Sequence, residues 1–222
     1  MLCPEKAKDG RAMESGTELI ALRHGETEFN ADRRMQGHLD VPLSEVGREQ
    51  ARLAAARLAA EPIDKIYSSD LQRAVETAQT IRGSRGIDLV SDVRLREFHM
   101  GTFQGLTVTE ARERHGDAWE RFFIHDADFA LPGGQSRNQK QVEIAAFMEE
   151  VVRTEAGRRL LVVTHGGILI GMLRHVLGIP ASHYFRVSIE NTGIQRFLYR
   201  NETWHLISWG EVDHLTVARE SR

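Results

Sequence analysis

The segment RLLVVTHGG, residues 159–167, narrows the choice of fold more than any other part of the chain. Its apolar residues are contiguous, not alternating, which is the pattern of a strand covered on both faces of its sheet. It runs into a histidine and two glycines, and then into ILIGMLRHVLGI, an apolar helical stretch stopped by Gly178 and Pro180. Residues 19–25, LIALRHG, repeat the order: a short apolar strand, then arginine, histidine and glycine. The echo is too short to be a duplication. It is an echo of position, in which two strands end on His-Gly.

The remaining pattern supplies the layers. A strand over 19–23 is followed by a helix over 42–62 with an alanine- and arginine-rich outer face. DKIYSS reads as a strand and SDLQRAVETAQTIRGS as a helix, with Ser69 and Gln72 spaced as a capping box. IDLVSD is a short extended piece. Thr107 and Glu110 form a second capping box, opening a helix to about Gly116, and residues 119–136 read as irregular. A long helix is expected over 138–156, and YFRVSI, GIQRFLYR and WHLISW read as three closing strands. Alternating strands and helices imply a three-layer α/β/α sandwich around a mostly parallel sheet, with at least one late strand antiparallel.

Composition sets limits. A chain of 222 residues, 41% hydrophobic and 27% charged, is one ordinary globular domain. Residues 1–17 read as a loose leader and 18–222 as the domain, with 106–137 as a lid or specificity segment. The formal charge of -3 and scattered arginines give no footprint for nucleic acid. The N-terminus lacks a signal peptide's apolar run, and no stretch is long enough to span a membrane. One cysteine, Cys3, makes no internal disulfide, which points to a reducing, cytoplasmic setting.

In a doubly wound sheet ligands bind beyond the carboxyl ends of the strands. His24, His165 and the segment Ser68-Ser69-Asp70 all stand there, with Arg73 in the first turn of the next helix. Arg23, His24, Arg73 and His165 could thus converge on one anion, and the guanidinium fork suits phosphate oxygens. One His-Gly alone is an ordinary loop. Two at equivalent strand ends, one preceded by arginine, favour a site. Of the ten histidines, His99, His115, His125, His175 and His183 have no zinc-ligand spacing, and neither His-Glu-x-x-His nor a Walker-type loop occurs.

Taken in order, LRHGETEFN, MQGHLDVPLSEVGREQA, IYSSDLQRAVETA, LRE, GTFQGLT, PGG before Ser136, and VVTHGG resemble the histidine phosphatase superfamily in its phosphoglycerate-mutase-like branch. The resemblance covers about 19–167. It implies a metal-free, cofactor-free phosphohistidine enzyme acting on a small phosphomonoester. His24 matches the nucleophile, Arg23 and Arg73 the phosphate clamps, His165 the second histidine, and Glu97 the carboxyl that protonates the leaving oxygen. Asn30, Gln36, Gly37 and Gly166 match residues on the phosphate side of the pocket. The residues alone would not have separated Glu97 from Glu110 or Glu113.

Two positions depart from the family pattern. Gln104 and Gln135 stand where glutamate is usual, which predicts a less acidic outer pocket. The cofactor-dependent mutases carry a longer insertion than the thirty or so residues between Gly105 and Gln135, so a phosphatase is preferred over a mutase. A non-catalytic phospho-ligand module is the reading from outside the enzymes. FFIHDADFALPGG is the expected specificity element, with Phe122, Phe123 and Phe129 either lining the pocket or packing as core. Trp119, Trp204 and Trp209 read as packing residues. Self-association as a homodimer is compatible with such a domain.

Overall fold

The computed structural model describes residues 16–216. Most of the expected leader and Cys3 lie outside the described residues. Thr17, counted there with the leader, instead opens the first strand and is buried, its hydroxyl accepting from Gly157 N–H at 3.0 Å.

The elements in chain order are β1 (Thr17–Arg23), α1 (Glu28–Ala31), α2 (Glu45–Arg57), β2 (Lys65–Ser68), α3 (Gln72–Arg82), β3 (Asp88–Ser91) and α4 (Val108–Glu120). They continue with α5 (Arg137–Thr154), β4 (Arg159–Thr164), α6 (Gly166–Leu177), β5 (Ile194–Arg200), β6 (Thr203–Glu211) and α7 (Asp213–Thr216). The sheet order is β3-β2-β4-β1-β5-β6. The first four strands run parallel, and β5 and β6 are antiparallel to their neighbours.

Because side chains alternate across a strand, the contiguous apolar runs feed two cores. Leu19, Ala21, Leu160 and Val162 face α5 and α6 through Ile144, Phe147, Met148, Leu169 and Met172. Ile20, Leu22, Leu161 and Val163 face α2 and α3 through Ala54, Leu58, Ala74, Ala78 and Ile81. A third cluster, built on Phe103, Trp119 and Phe122, sits under α4 beyond the sheet. The three-layer α/β/α sandwich is thus observed.

Three local expectations are corrected. The N-cap of α3 is Leu71, with no side-chain cap bond; the Ser69 hydroxyl is engaged instead with His165 Nε2 at 2.9 Å. YFRVSI is not a strand. β5 takes the place beside β1, while Ile189 O accepts from Arg23 Nη1, Ser188 O accepts from Trp209 Nε1, and Phe185 packs under Arg174. Its carbonyls at Ser188 and Ile189 are taken by side chains and its Phe185 ring by Arg174, so no ladder forms. Finally, α4 does not stop at Gly116: it kinks at His115, whose ring stacks on Phe103, and runs to Glu120 before a wide turn over Arg121–His125. The Thr107–Glu110 capping box is present, and α5, capped by Ser136 through Gln139 N–H, closely matches its expected span.

Gly25 and Gly47 explain one half of the His-Gly echo. A Cβ on Gly47 would overlap the Glu26 carbonyl, and one on Gly25 would overlap the Gly47 carbonyl, so α2 can lie on the loop after β1 only with both side chains missing. Gly47→Ala is therefore expected to destabilise by about 2–3 kcal/mol, which for a chain of this size lowers Tm by roughly 5–10 °C. A thermal melt of the variant checks this, and an unchanged Tm would contradict the close approach.

Candidate active site

The sheet register brings the sequence-predicted residues to one end. Arg23 pairs with Thr164, and Ser68 with Val163, so β1, β4 and β2 terminate side by side. The chain continues each ladder by one bond, from His24 N–H to Thr164 O at 2.9 Å and from Ser69 N–H to Val163 O at 3.0 Å. His24, His165 and Ser69 are consequently the first residues past three adjacent strand ends. Arg23, His24, Asn30, Gln36, Gly37, Arg73, Glu97 and His165 all line one cavity of about 180 Å³, joined there by Arg34, Met35 and Met100.

His24 is buried, and its Nδ1 lies 2.6 Å from Gly25 O. A carbonyl can only accept, so Nδ1 carries the proton and Nε2 keeps its lone pair. The His165 ring is 5.1 Å away, centroid to centroid. Its Nε2 meets the Ser69 hydroxyl, while its Nδ1 is buried without a protein partner. A serine hydroxyl donating to Nε2 leaves Nδ1–H as a donor.

The two arginines are tied by part of their forks only. Arg73 is buried on α3 and donates to Leu39 O and Gly37 O, both at 2.8 Å, with Nε unpartnered. Arg23 donates to Ile189 O at 2.9 Å, and its Nε too is buried without a partner. Three unsatisfied donors around one small cavity are the signature of an oxyanion site, because a buried polar group left unpaired costs about 1–3 kcal/mol.

Glu97 is held at both oxygens: Oε1 accepts from Phe98 N–H at 2.9 Å and Oε2 from Gly167 N–H at 3.0 Å. Here is the other half of the His-Gly echo. A Cβ on Gly167 would strike the Glu97 carboxylate and the Phe98 ring, so the second glycine of THGG lets Glu97 reach the cavity.

Some expected residues are placed differently. Gly166 opens α6 and lies beside Arg23, a Cβ there standing 3.9 Å from Arg23 Nε, but it does not line the cavity. Neither Gln104 nor Gln135 lines it. Gln104 Oε1 accepts from His38 N–H at 2.8 Å and fastens the Gly37 turn, and Gln135 Nε2 donates to Glu143 at 2.6 Å in a separate groove.

Besides Arg34, Met35 and Met100 of the cavity lining, two contributors were missed in the sequence. Asn191 Nδ2 donates to His24 O at 2.9 Å, across more than 160 residues of chain, and nothing local announces it. Arg137 had a signal: it is the first residue of α5, and a cation there opposes the helix dipole. It lines a second cavity of about 400 Å³ that shares Met35, Glu97 and Met100 with the first. Phe122, Phe123 and Trp119 line that cavity while also packing in the cluster under α4; Phe129 packs against the same cluster under Arg121 but does not line the cavity. Trp204 and Trp209 pack on the sheet core as expected.

Burial drives both imidazole pKa values well below the ordinary 6.5, for His24 reinforced by Arg23 and Arg73, and for His165 by Arg73, His24 and Arg23. Burial likewise brings Arg73 down to about 10. Below about pH 6.5 the unfolded chain binds protons at both histidines and the folded chain does not, so this contribution to stability is complete above pH 6.5 and is lost as pH falls toward the folded values. Each histidine adds a slope of about 1.4 kcal/mol per pH unit once the unfolded form is protonated. Urea denaturation between pH 7.5 and 5.5 should show this loss and a loss smaller by about 1 kcal/mol in His24→Asn; equal losses would contradict a neutral buried His24.

Among the described residues, no group of three or more His, Cys, Asp or Glu is placed to hold a metal ion, and no helix is long and apolar enough to cross a membrane. The sequence profile of the histidine phosphatase superfamily (branch 1) matches residues 19–212. Phosphoglycerate mutase-like protein 4 of Arabidopsis thaliana is 38% identical over 202 residues, covering 89% of this chain and 86% of that protein. The structure of YhfR from Bacillus stearothermophilus superposes with a TM-score of 0.84 at 34% identity, covering 90% of this chain and 99% of that one. A mycobacterial glucosyl-3-phosphoglycerate phosphatase superposes with a TM-score of 0.78 at 32% identity, covering 88% and 99%.

Proposed function

The chain belongs to the histidine phosphatase superfamily, branch 1, and from that premise we propose that it hydrolyses small phosphomonoesters through a phosphohistidine formed on His24. The observation that carries the reading is the 2.6 Å contact of His24 Nδ1 with Gly25 O, which supports Nδ1–H as the donor and Nε2 as the free nitrogen in the cavity His24 shares with Arg23, Arg73 and His165.

In this scheme the substrate's phosphoryl group sits among Arg23, Arg73 and His165 Nδ1–H, which neutralise charge on its equatorial oxygens. Nε2 attacks phosphorus and the ester P–O bond breaks. Glu97 gives its proton to the departing oxygen. Glu97, now a carboxylate, takes a proton from water; the hydroxide breaks the P–N bond and phosphate leaves with His24 neutral again. The arginines supply the positive charge, so no step calls for a metal. Residues 106–137 serve as the wall that selects the alcohol part of the substrate.

Phosphate release from a panel of metabolite phosphomonoesters, run with EDTA, tests the reading, and turnover that survives the chelator supports it. A mutase reading is favoured by the name of the Arabidopsis relative. It would be upheld if phosphoryl groups passed to a second alcohol while no phosphate was released, and absence of both activities would leave a phospho-ligand module.

A further inference from the structure

The larger cavity lies on the Glu97 side of the site, where the alcohol part of a substrate must go. Its walls are apolar, with Phe98, Trp119, Phe122 and Ile170 prominent, yet two guanidinium groups enter it. Arg174, on α6, is fully engaged: it donates to Pro180 O and His183 O and lies over the Phe185 ring at 4.5 Å. Arg137 is not. Its Nη1 donates to Ala181 O at 2.6 Å, but Nε and Nη2 are buried with no acceptor. Among the described residues, the acidic group acting on it is Asp126, which is itself bonded to Arg121.

The two free nitrogens matter by their position. Nε–H and Nη2–H lie along one edge of the guanidinium plane, the edge that meets both oxygens of a carboxylate side by side. An unsatisfied cation in an apolar cavity is costly, and an anionic occupant would relieve it.

We propose that Arg137 is a specificity residue that binds a carboxylate at the far end of an apolar, aryl-sized alcohol portion of the substrate, a proposal that rests on the hydrolase reading of the same site. The preferred substrate class is then a phosphomonoester with phosphate at one end, an apolar body against Trp119 and Phe122, and a carboxylate at the other. Small polar phosphomonoesters leave the cavity unfilled and Arg137 unpaired.

The test uses para-phosphorylated phenylpropanoate and its carboxamide, which differ only in the distal charge. Wild-type protein should prefer the carboxylate in kcat/KM by about tenfold or more, mostly through KM, since the contact is present in ground and transition states alike. In Arg137→Gln the ratio should fall to about one, and Arg137→Lys, which keeps the charge without the fork, should fall between. The ratio is read within each variant, so a loss of folded protein does not alter it. A wild-type ratio near one, or a preference untouched in Arg137→Gln, would overturn the proposal. If neither compound is turned over while other phosphomonoesters release phosphate, the proposal is overturned; if no phosphomonoester releases phosphate, it is the hydrolase reading that fails. Calorimetric binding to His24→Ala and to His24→Ala/Arg137→Gln then decides: a preference for the carboxylate lost in the double variant supports the role of Arg137, and equal affinities overturn it.

Discussion

His24→Ala should lose at least about four orders of magnitude in kcat while still binding phosphomonoesters, because deleting a nucleophile removes the bond-forming group and leaves the electrostatic site standing. The geometry makes the two effects separable. Arg73 is anchored to Leu39 O and Gly37 O, and Arg23 to Ile189 O, by bonds that do not involve His24. Removing a neutral imidazole leaves those cations, and the Nδ1 of His165, where they were. Calorimetric titration with inorganic phosphate should therefore give an affinity near the wild-type value, and that same titration reports on folding. Retained turnover with retained binding would place the nucleophile elsewhere; loss of both would say only that His24 holds the fold.

The second large effect belongs to Glu97→Gln, and its form is more informative than its size. For an alkyl phosphate the leaving oxygen needs a proton, and kcat/KM should fall by about 10²–10⁴. For para-nitrophenyl phosphate the phenolate leaves unaided, so transfer to His24 should proceed, but water activation still lacks its base. The variant should then release a burst of nitrophenol close to one equivalent per site, followed by a slow steady rate. The amide can keep its Oε1 on one backbone donor, although Phe98 N–H and Gly167 N–H now compete for it. Equal losses for both esters and no burst would reduce Glu97 to a structural support for the loop.

What the sequence disclosed follows the range of the interactions involved. The sandwich was legible because the doubly buried strands write themselves as unbroken apolar runs, as in Leu160–Val163. The two His-Gly pairs were legible for a similar reason. Gly25, in the first pair, and Gly167, the glycine after the second pair, are demanded by close contacts at their own strand ends, whereas Gly166 has room for a Cβ. Ser69 misled because a local signal, its spacing to Gln72, competed with a tertiary one; the hydroxyl meets His165 and α3 starts without a side-chain cap. YFRVSI misled in the same way: its carbonyls at Ser188 and Ile189 accept from Trp209 and Arg23, and its Phe185 ring packs under Arg174. Gln104 and Gln135 carried no position in the pattern, and only the fold shows that they look away from the cavity. Asn191 reaches His24 from the far end of the domain. Arg137 announced only that its charge was wrong for a helix start, and the cavity that gives this meaning is assembled from α4, α5, α6 and the segment after it.

The central claim is a covalent phosphoryl group on one named nitrogen, and rapid acid-free quenching of the protein with a ³²P-labelled phosphomonoester tests it most directly. The account predicts a label that survives alkali, is lost in acid, maps to the peptide carrying His24 and is missing in His24→Ala. A label on any other residue, or turnover by His24→Ala at the wild-type rate, would contradict it.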